Sequence, residues 1–252
     1  MEPITSRQNG HFKKLQDLHK REVRDSLGEF LVEGEKEISL AKEIDTLYYS
    51  EMTPFVNEMK KKSSLTIPMT KQLLENVSYR GDCIAVCKSK LSSWADIKNS
   101  SLVLLLEAIE KPGNLGGVLR TADAAGVEGI IIADPVVDIF NPNVVRASLG
   151  AIFCLPIVQS SAKEALAFLE KNHFQIVVTT PSAKKFYHDV DYKKRTCIVV
   201  GSESMGLTPL WLENKNCTPV KIPMKGHVDS LNASISASVV MYEAIRQRNL
   251  VS

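Results

Sequence analysis

The 252-residue chain is long enough for one large or two ordinary domains with real cores. Its 31 Lys and Arg nearly balance 29 Asp and Glu, so there is no overall basic field, and any nucleic-acid surface must be local. The amino terminus lacks an apolar signal core, and no apolar run is long enough for a membrane span, so we expect a soluble, cytoplasmic protein without membrane contacts.

Five cysteines show no zinc spacing, and we predict no metal site. We interpret all five as reduced thiols in the core, and they are Cys83, Cys87, Cys154, Cys197 and Cys217.

The first 24 residues carry a local excess of positive charge. The bases are Arg7, Lys13, Lys14, Lys20, Arg21 and Arg24, against Glu2, Asp17 and Glu22. This segment fits an RNA-facing arm, and it fits a solvated helix face with mixed charges equally well.

Short β-rich runs alternate with helix-like stretches up to residue 88. We predict strands over 29–34, 46–50, 64–68 and 84–88, and helices over 35–44, 54–62 and 70–77. This order indicates a small βαβαβαβ domain, which we bound at residues 1–95. The serine-rich stretch 89–100 is typical of a linker.

A second domain, residues 101–252, opens with an apolar run without alternation, as in strands covered by helices on both faces. We predict strands over 102–106, 129–133, 174–179, 197–200 and 219–222, and helices over 115–125, 142–150, 161–172, 207–214 and 230–247. The pattern predicts an α/β fold with a mostly parallel sheet.

The last predicted helix has two apolar faces. Leu231, Ile235, Val239 and Tyr242 form one stripe, and Ala233, Ala237, Val240 and Ala244 form a face of smaller residues. One face should meet the sheet, and the other is free for a partner chain or for further packing within the chain.

Three loops rich in Gly, Pro, Asn and Ser follow predicted strands, at residues 112–120, 201–207 and 222–234. Ligands bind at the carboxyl ends of strands in open α/β sheets, so these loops should meet at one pocket. The G-x-G-x-x-G, G-K-[ST] and G-x-S-x-G patterns are absent, which disfavours a dinucleotide enzyme, a P-loop NTPase and a serine hydrolase. The polar side chains of these loops include asparagines, serines, one arginine and one glutamate. Such a set can form hydrogen bonds with ribose hydroxyls and with the edge of an adenine.

In order and spacing, these loops resemble motifs one, two and three of the SpoU (TrmH-type) RNA 2'-O-ribose methyltransferases of the SPOUT superfamily. The matching segments are 114–122 (NLGGVLRTA), 201–207 (GSESMGL), 222–224 (IPM) and 230–234 (SLNAS), with 146–151 (RASLGA) resembling a further family segment. The first domain is similar to the ribosomal-protein-like RNA-binding domain that often precedes this catalytic unit, on its element order and residues 30–34.

The resemblance implies a carboxyl-terminal trefoil knot, S-adenosylmethionine as methyl donor, and a homodimer in which both chains form the active site. It also assigns cofactor binding to the backbone around Thr179, Gly201, Ile222 and Leu231. For Gly201 the missing side chain would allow close approach of an adenosine. For the other three, ordinary core packing explains the residue type equally well.

The resemblance makes Arg120 the leading catalytic residue, although pairing with Asp123 on one helix is the simpler reading of an isolated arginine. A guanidinium is a poor general base, so holding a phosphate and stabilising the developing alkoxide is its easier role; the alternative that the resemblance implies, in which the arginine itself accepts the proton, would need a strongly perturbed environment. Asn114 and Asn232 can bond ribose or phosphate oxygens, and each could instead cap a loop. Glu203 can orient Arg120 or the substrate, or face a helix amino terminus. Ser230 is predicted to cap the last helix and also to face the substrate, which makes five candidate catalytic residues with Asn114, Arg120, Glu203 and Asn232.

We therefore expect an enzyme that transfers a methyl group to a ribose 2'-hydroxyl of structured RNA, with ribosomal RNA favoured over transfer RNA and DNA not expected. A tRNA methyltransferase and a catalytically silent RNA-binding protein on the same scaffold are the alternatives.

Overall fold

The computed structural model describes residues 2–79 and 82–249. The strands are β1 (Glu29–Glu33), β2 (Ile44–Tyr49), β3 (Ser63–Pro68), β4 (Cys83–Lys88), β5 (Leu102–Glu107), β6 (Gly129–Ala133), β7 (Ile157–Ser160), β8 (Gln175–Thr179), β9 (Lys185–Phe186), β10 (Thr196–Val200) and β11 (Cys217–Lys221). The helices are α1 (Gly10–Asp17), α2 (Arg21–Leu27), α3 (Glu35–Leu40), α4 (Pro54–Met59), α5 (Lys71–Glu75), α6 (Trp94–Ile97), α7 (Pro112–Ala124), α8 (Pro142–Ser148), α9 (Ala162–Lys171), α10 (Pro209–Leu212) and α11 (Ala233–Asn249). Short 3₁₀ turns lie at Lys60–Lys62, Ala151–Phe153 and Tyr187–Asp189.

The chain forms two compact units. One contains residues 1–90 and 138–154, and the other contains residues 91–137 and 155–252. The first therefore takes in a segment, 138–154, that the sequence pattern assigns to the second domain.

The first unit is built on a four-stranded sheet in the order β1-β4-β2-β3. Each strand lies where the sequence predicts it, within two residues at either end, but the pairing is mixed: β4 runs antiparallel to β1 and β2, and β2 and β3 are parallel. Alternate residues of β1 enter different cores. Leu31 packs with Phe12 and Leu15 of α1, and Phe30 packs with Ile38 of α3. The helices α1 and α2, which the sequence analysis did not predict, thus cover one face of this sheet.

Residues 138–154 join this unit through buried contacts. The ring of Phe140 lies 4.7 Å from that of Phe30, and Val145 of α8 is part of the same core. Buried Arg24 pairs with Asp138 at 2.5 Å and also donates to the carbonyl of Leu18. A buried ion pair is stable only when its polar atoms all have partners. Here Arg24 and Asp138 are far apart in the sequence, so the hydrophobic periodicity could not predict that residues 138–154 belong to this unit.

The second unit is a seven-stranded sheet in the order β7-β6-β5-β10-β8-β11-β9, and every pair of neighbouring strands is parallel. The predicted parallel α/β architecture is confirmed. The sequence analysis missed both edge strands, because β9 has two residues and β7 is a short segment whose last two residues are only partly buried. Edge strands lack the continuous apolar run that marks a strand covered on both faces.

The predicted linker 89–100 is wrong in part, because it contains α6. A capping box formed by Ser93 and Asp96 starts this helix. Its last residue, Ile97, is fully buried in the core of the second unit, and Trp94 stacks on Phe168 at 4.4 Å.

The small-residue face of α11 is the one that packs inside, as Ala233, Ala237, Val240 and Ala244 are all buried. Ile235 and Tyr242 of the opposite stripe are each half exposed. Among residues 2–79 and 82–249 there is no helix whose length and apolarity would suit a membrane crossing.

The prediction of buried cysteines holds for four of the five. Burial raises the pKa of the Cys87 thiol to about 12 and that of Cys217 to about 11. Cys154 is exposed, so for this residue the prediction is wrong. It follows the 3₁₀ turn Ala151–Phe153, where the chain leaves the core.

Candidate active site

A cavity of about 340 Å³ lies in the second unit, at the carboxyl ends of β8, β10 and β11. The four predicted cofactor residues all line it, and they are Thr179, Gly201, Ile222 and Leu231. Glu203 and Ser230 line it as well. The predicted meeting of the second and third loops is therefore confirmed, and its cause is that parallel strands end at the same edge of a sheet.

The chemistry of the lining discriminates between ligands. Its apolar part includes Leu207, Leu212, Ile222 and Met224, and its charged side chains are the carboxylates Glu203 and Asp229. No Lys, Arg or His is among the described residues of the wall. A wall with apolar side chains and carboxylates suits an adenosine that carries a positive group.

Gly201 has a structural reason within the loop itself, in addition to the approach of an adenosine predicted above. A Cβ at this position would lie 2.3 Å from the carbonyl carbon of Gly206 and 2.6 Å from the amide nitrogen of Leu207. The loop turns back on itself there: Ser202 and Gly206 exchange two backbone hydrogen bonds of 3.1 Å. Gly201 is thus required for the loop to close, and the closed loop forms one wall of the cavity.

Glu107 anchors the far end of this loop, and sequence reasoning missed it. Its carboxylate is buried at the end of β5 and accepts hydrogen bonds from the backbone and hydroxyl of Thr208 and from Nε1 of Trp211, each at 2.8–2.9 Å. A glutamate ending an otherwise apolar strand, 102–106, is the signal that could have revealed it.

The three loops are tied together by one polar network. Asn114, in the first turn of α7, donates through its side-chain amide to the carboxylate of Glu203, and that carboxylate also accepts from the backbone N–H of Glu110 at 3.2 Å. The amide of Asn232 donates to Oδ1 of Asn114 at 3.1 Å. Three predicted site residues from three separate motifs are therefore in direct contact.

The carboxyl-terminal helix begins later than predicted, and its cap differs. Oδ1 of Asn232 accepts hydrogen bonds from the backbone N–H of Ser234 at 2.9 Å and from its hydroxyl at 2.6 Å. Asn232 therefore caps α11 and joins the network at the same time. The prediction that Ser230 caps this helix is wrong, because Ser230 lies three residues before its first turn, exposed at the cavity.

Arg120 is exposed on α7, and within the described residues it has no hydrogen bond or ion pair. The pairing with Asp123 considered above is absent. Arg120 also does not contact Glu203 through a hydrogen bond. The structure thus brings together four of the five predicted catalytic residues around the cavity and network, and leaves the arginine free.

Thr179 uses its hydroxyl internally, donating to the carbonyl of Val199 at 3.0 Å. This bond joins the ends of β8 and β10 at the floor of the cavity. The part of Thr179 available to a ligand is its backbone, as the resemblance implies.

Comparison with known proteins decides the family. The SpoU rRNA Methylase family model matches residues 101–242, and the MRM3-like substrate binding domain matches residues 9–86. The chain belongs to the SpoU rRNA methylase family.

Its relatives resemble it over nearly the whole length. It is 32% identical to a 23S rRNA (uridine(2479)-2'-O)-methyltransferase of Streptomyces viridochromogenes, over 97% of this chain and 92% of that protein. The crystal structure of the SpoU methyltransferase AviRb from that organism in complex with AdoMet superposes with a TM-score of 0.87 at 31% identity, covering 96% of this chain and 100% of the other. An AdoMet-bound rRNA methyltransferase from Sinorhizobium meliloti gives 0.90 at 27% identity, covering 97% of each chain.

The predicted enzyme class is thereby confirmed: the protein is an RNA 2'-O-methyltransferase that uses S-adenosylmethionine. The individual residue roles, the homodimer, the knot and the cellular location stay predictions.

Proposed function

We propose that this methyltransferase acts on a ribose 2'-hydroxyl of ribosomal RNA, as a homodimer, with S-adenosylmethionine in the cavity at the ends of β8, β10 and β11. The observation that carries the proposal is the cavity itself. Its charged side chains are carboxylates, no Lys, Arg or His is among the described residues of its wall, and the hydrogen-bonded network of Asn114, Glu203 and Asn232 borders it. Full-length similarity to a 23S rRNA methyltransferase, first domain included, favours ribosomal over transfer RNA.

The bound methyl donor would supply an already activated methyl group on a positive sulfur. The protein's contribution is then to hold the attacking hydroxyl in line and exclude water. The carboxylates of Glu203 and Asp229 lie in a wall without basic side chains, which favours a cation in the cavity. Gly201 and Ile222 line the cavity, and their backbone amide and carbonyl groups would bind an adenine edge.

On the substrate side, the network positions two amides at the cavity edge. Oδ1 of Asn232 is engaged by Ser234, and both Asn114 and Asn232 are fixed by Glu203 through the chain of hydrogen bonds described above. Prealigned amides can bind ribose or phosphate oxygens without first losing conformational freedom. The exposed hydroxyl of Ser230 is the further polar group we assign to the substrate.

Two features support the homodimer. The stripe with Ile235 and Tyr242 is half exposed on α11, and apolar side chains grouped on one helix face are typical of subunit contacts. Arg120 is a free guanidinium on the neighbouring helix α7. We place Arg120 where two protomers meet, so that it binds the phosphate beside the target ribose and stabilises the 2'-oxygen while its proton passes to solvent; the methyl group would move to that oxygen and the donor would leave as the neutral thioether.

The first unit would select the RNA. In the basic arm, Lys14, Lys20 and Arg21 are paired with Glu29, Asp17 and Asp25, which is the arrangement of a mixed-charge helix face. Other groups of this unit are better suited to RNA. The lysines of Lys60–Lys62 are exposed, and Tyr79, 75% exposed, has the Arg146 guanidinium 4.2 Å from its ring centroid.

The test uses undermethylated ribosomal RNA from cells lacking the gene. Wild-type protein with labelled methyl donor should modify one position, found by mapping 2'-O-methyl groups, and should leave bulk tRNA unlabelled. Arg120→Ala should abolish transfer while titration calorimetry finds donor affinity nearly unchanged. If the wild type binds the donor but transfers no methyl group to any RNA, the silent RNA-binding protein is favoured. If bulk tRNA becomes labelled, a tRNA methyltransferase is favoured.

To test the shared site, the Arg120→Ala and Asn232→Ala variants are mixed, partly unfolded and then refolded together, so that mixed dimers form. If both chains form one active site, mixed dimers regain part of the activity that neither variant has alone. A monomer in light scattering, or activity that never returns, would contradict the shared site.

A further inference from the structure

The edge of the large sheet carries a group of exposed aromatic and basic side chains. Phe186 of β9 is 37% exposed and stacks on the imidazole of His188, with ring centroids 5.5 Å apart and planes 7° from parallel. The ammonium of Lys221 lies 5.3 Å from the centroid of Phe186. We call Phe186, His188 and Lys221 the edge platform.

The platform is held in place by the sheet. Phe186 pairs with Lys221 in the parallel register of β9 and β11, and its backbone N–H donates to the carboxylate of Asp189 at 3.2 Å. Tyr187 adds an edge-on ring contact to His188 at 5.1 Å. A preformed aromatic surface binds a planar ligand with little loss of side-chain entropy.

The platform and the cavity share the carboxyl end of β11, where Lys221 points to the opposite side of the strand from its two neighbours in the chain. Val220, which pairs with Lys185, lines the cavity, and so does Ile222, the residue that follows Lys221. Neighbouring strands lie about 4.8 Å apart. A single strand that passes around this end of β11 could therefore place one base on the platform and the ribose of a nearby nucleotide at the cavity.

The surrounding charge is positive. The platform strand with the residue before it, the turn after it and its partner strand contain Lys184, Lys185 and Lys221 against Asp189, and Lys184 and Lys185 are exposed. The one acid, Asp189, is already engaged by Phe186 and lies 3.6 Å from His188. Aromatic faces among cations are the chemistry by which proteins hold single-stranded nucleic acid, through stacked bases and neighbouring phosphates.

We propose that the edge platform is a stacking site for a nucleotide next to the methylated one, with Lys221 and its neighbours contacting the adjoining phosphates. This inference rests on the proposed function, since it assumes that the target ribose enters the cavity described above. The platform would hold the target strand splayed from any helix, which would let its 2'-hydroxyl reach a methyl group in the cavity.

The experiment compares Phe186→Leu, which keeps an apolar side chain but removes the aromatic face, with Phe186→Trp, which keeps the face. Fluorescence anisotropy with labelled decauridine measures strand affinity, and steady-state kinetics with undermethylated ribosomal RNA measure KM and kcat. Phe186→Leu should weaken decauridine binding about five- to 150-fold, the range expected for one stacked base, and raise KM with little change in kcat. Phe186→Trp should restore both.

A matched pair of charge reversals tests the lysine. Lys221→Glu should weaken binding and flatten its salt dependence, whereas Lys163→Glu, on α9 and away from this edge, should leave both unchanged. Unchanged decauridine binding in Phe186→Leu would overturn the proposal, as would loss of the dimer in light scattering, which would identify this edge as a contact between copies of the chain. Wild-type protein that binds decauridine at the platform but transfers no methyl group would refute the proposed function and leave the stacking site standing.

Discussion

Replacing Gly201 by alanine tests the loop that forms the cavity wall. The added Cβ would meet the carbonyl carbon and oxygen of Gly206 at 2.3 and 2.4 Å and the amide nitrogen of Leu207 at 2.6 Å. All three are backbone atoms, so no side chain can rotate away, and the loop must open. Opening breaks the two hydrogen bonds between Ser202 and Gly206.

The size of the effect follows from these contacts. Two estimates of the destabilisation of the closed loop agree at about 2 kcal/mol. One is the loss of two backbone hydrogen bonds at about 1 kcal/mol each, and the other is an overpacking cost of about 1–3 kcal/mol. If the closed loop is the form that binds the cofactor, affinity for S-adenosylmethionine should fall about 30-fold. The melting temperature should fall by about 4–8 °C for a chain of this size.

Titration calorimetry with S-adenosylmethionine and a thermal unfolding scan measure the two quantities. Gly113→Ala is the matched control, because a Cβ at Gly113 meets nothing within 4 Å and the residue lies in the first turn of α7. This control should bind the cofactor as the wild type does and be equally or slightly more stable. Wild-type affinity and stability in Gly201→Ala would refute the argument that loop closure requires glycine.

Three further predictions concern other parts of the chain. Glu107→Gln should lower the free energy of unfolding by about 1–3 kcal/mol in urea titrations, because the NH₂ group of the new amide would face the N–H and O–H donors of Thr208 and Trp211. An unchanged urea midpoint would contradict the anchoring role. Thiol titration of the native protein should find one fast-reacting cysteine, Cys154, since burial raises the pKa of the Cys87 thiol to about 12; a Cys154→Ser variant that still reacts quickly would refute this. Replacing Lys60–Lys62 with glutamines should reduce the salt slope of RNA binding by about 2, and an unchanged slope would remove this run from the RNA surface.

Much of the architecture is readable from the chain because local patterns agree with the global fold. Continuous apolar runs predict the covered strands, and β6 is found at its predicted bounds, 129–133. The errors fall where local pattern is weak: the two-residue strand β9, the short helix α6 inside a polar stretch, and the start of α11, which Asn232 rather than Ser230 caps.

By itself, the sequence determined the family, the parallel sheet and the set of polar residues after the strands, because glycine, asparagine and serine at strand ends are local features. Only the tertiary structure decided what those residues do. It shows Gly201 against the returning loop, Glu107 buried beneath it, Glu203 bonded to Asn114, and Arg120 without a polar partner in the part of the chain that the structure describes. The reason is physical: hydrogen bonds and steric limits between segments about 90–120 residues apart depend on distances in space, and no spacing along the chain encodes them.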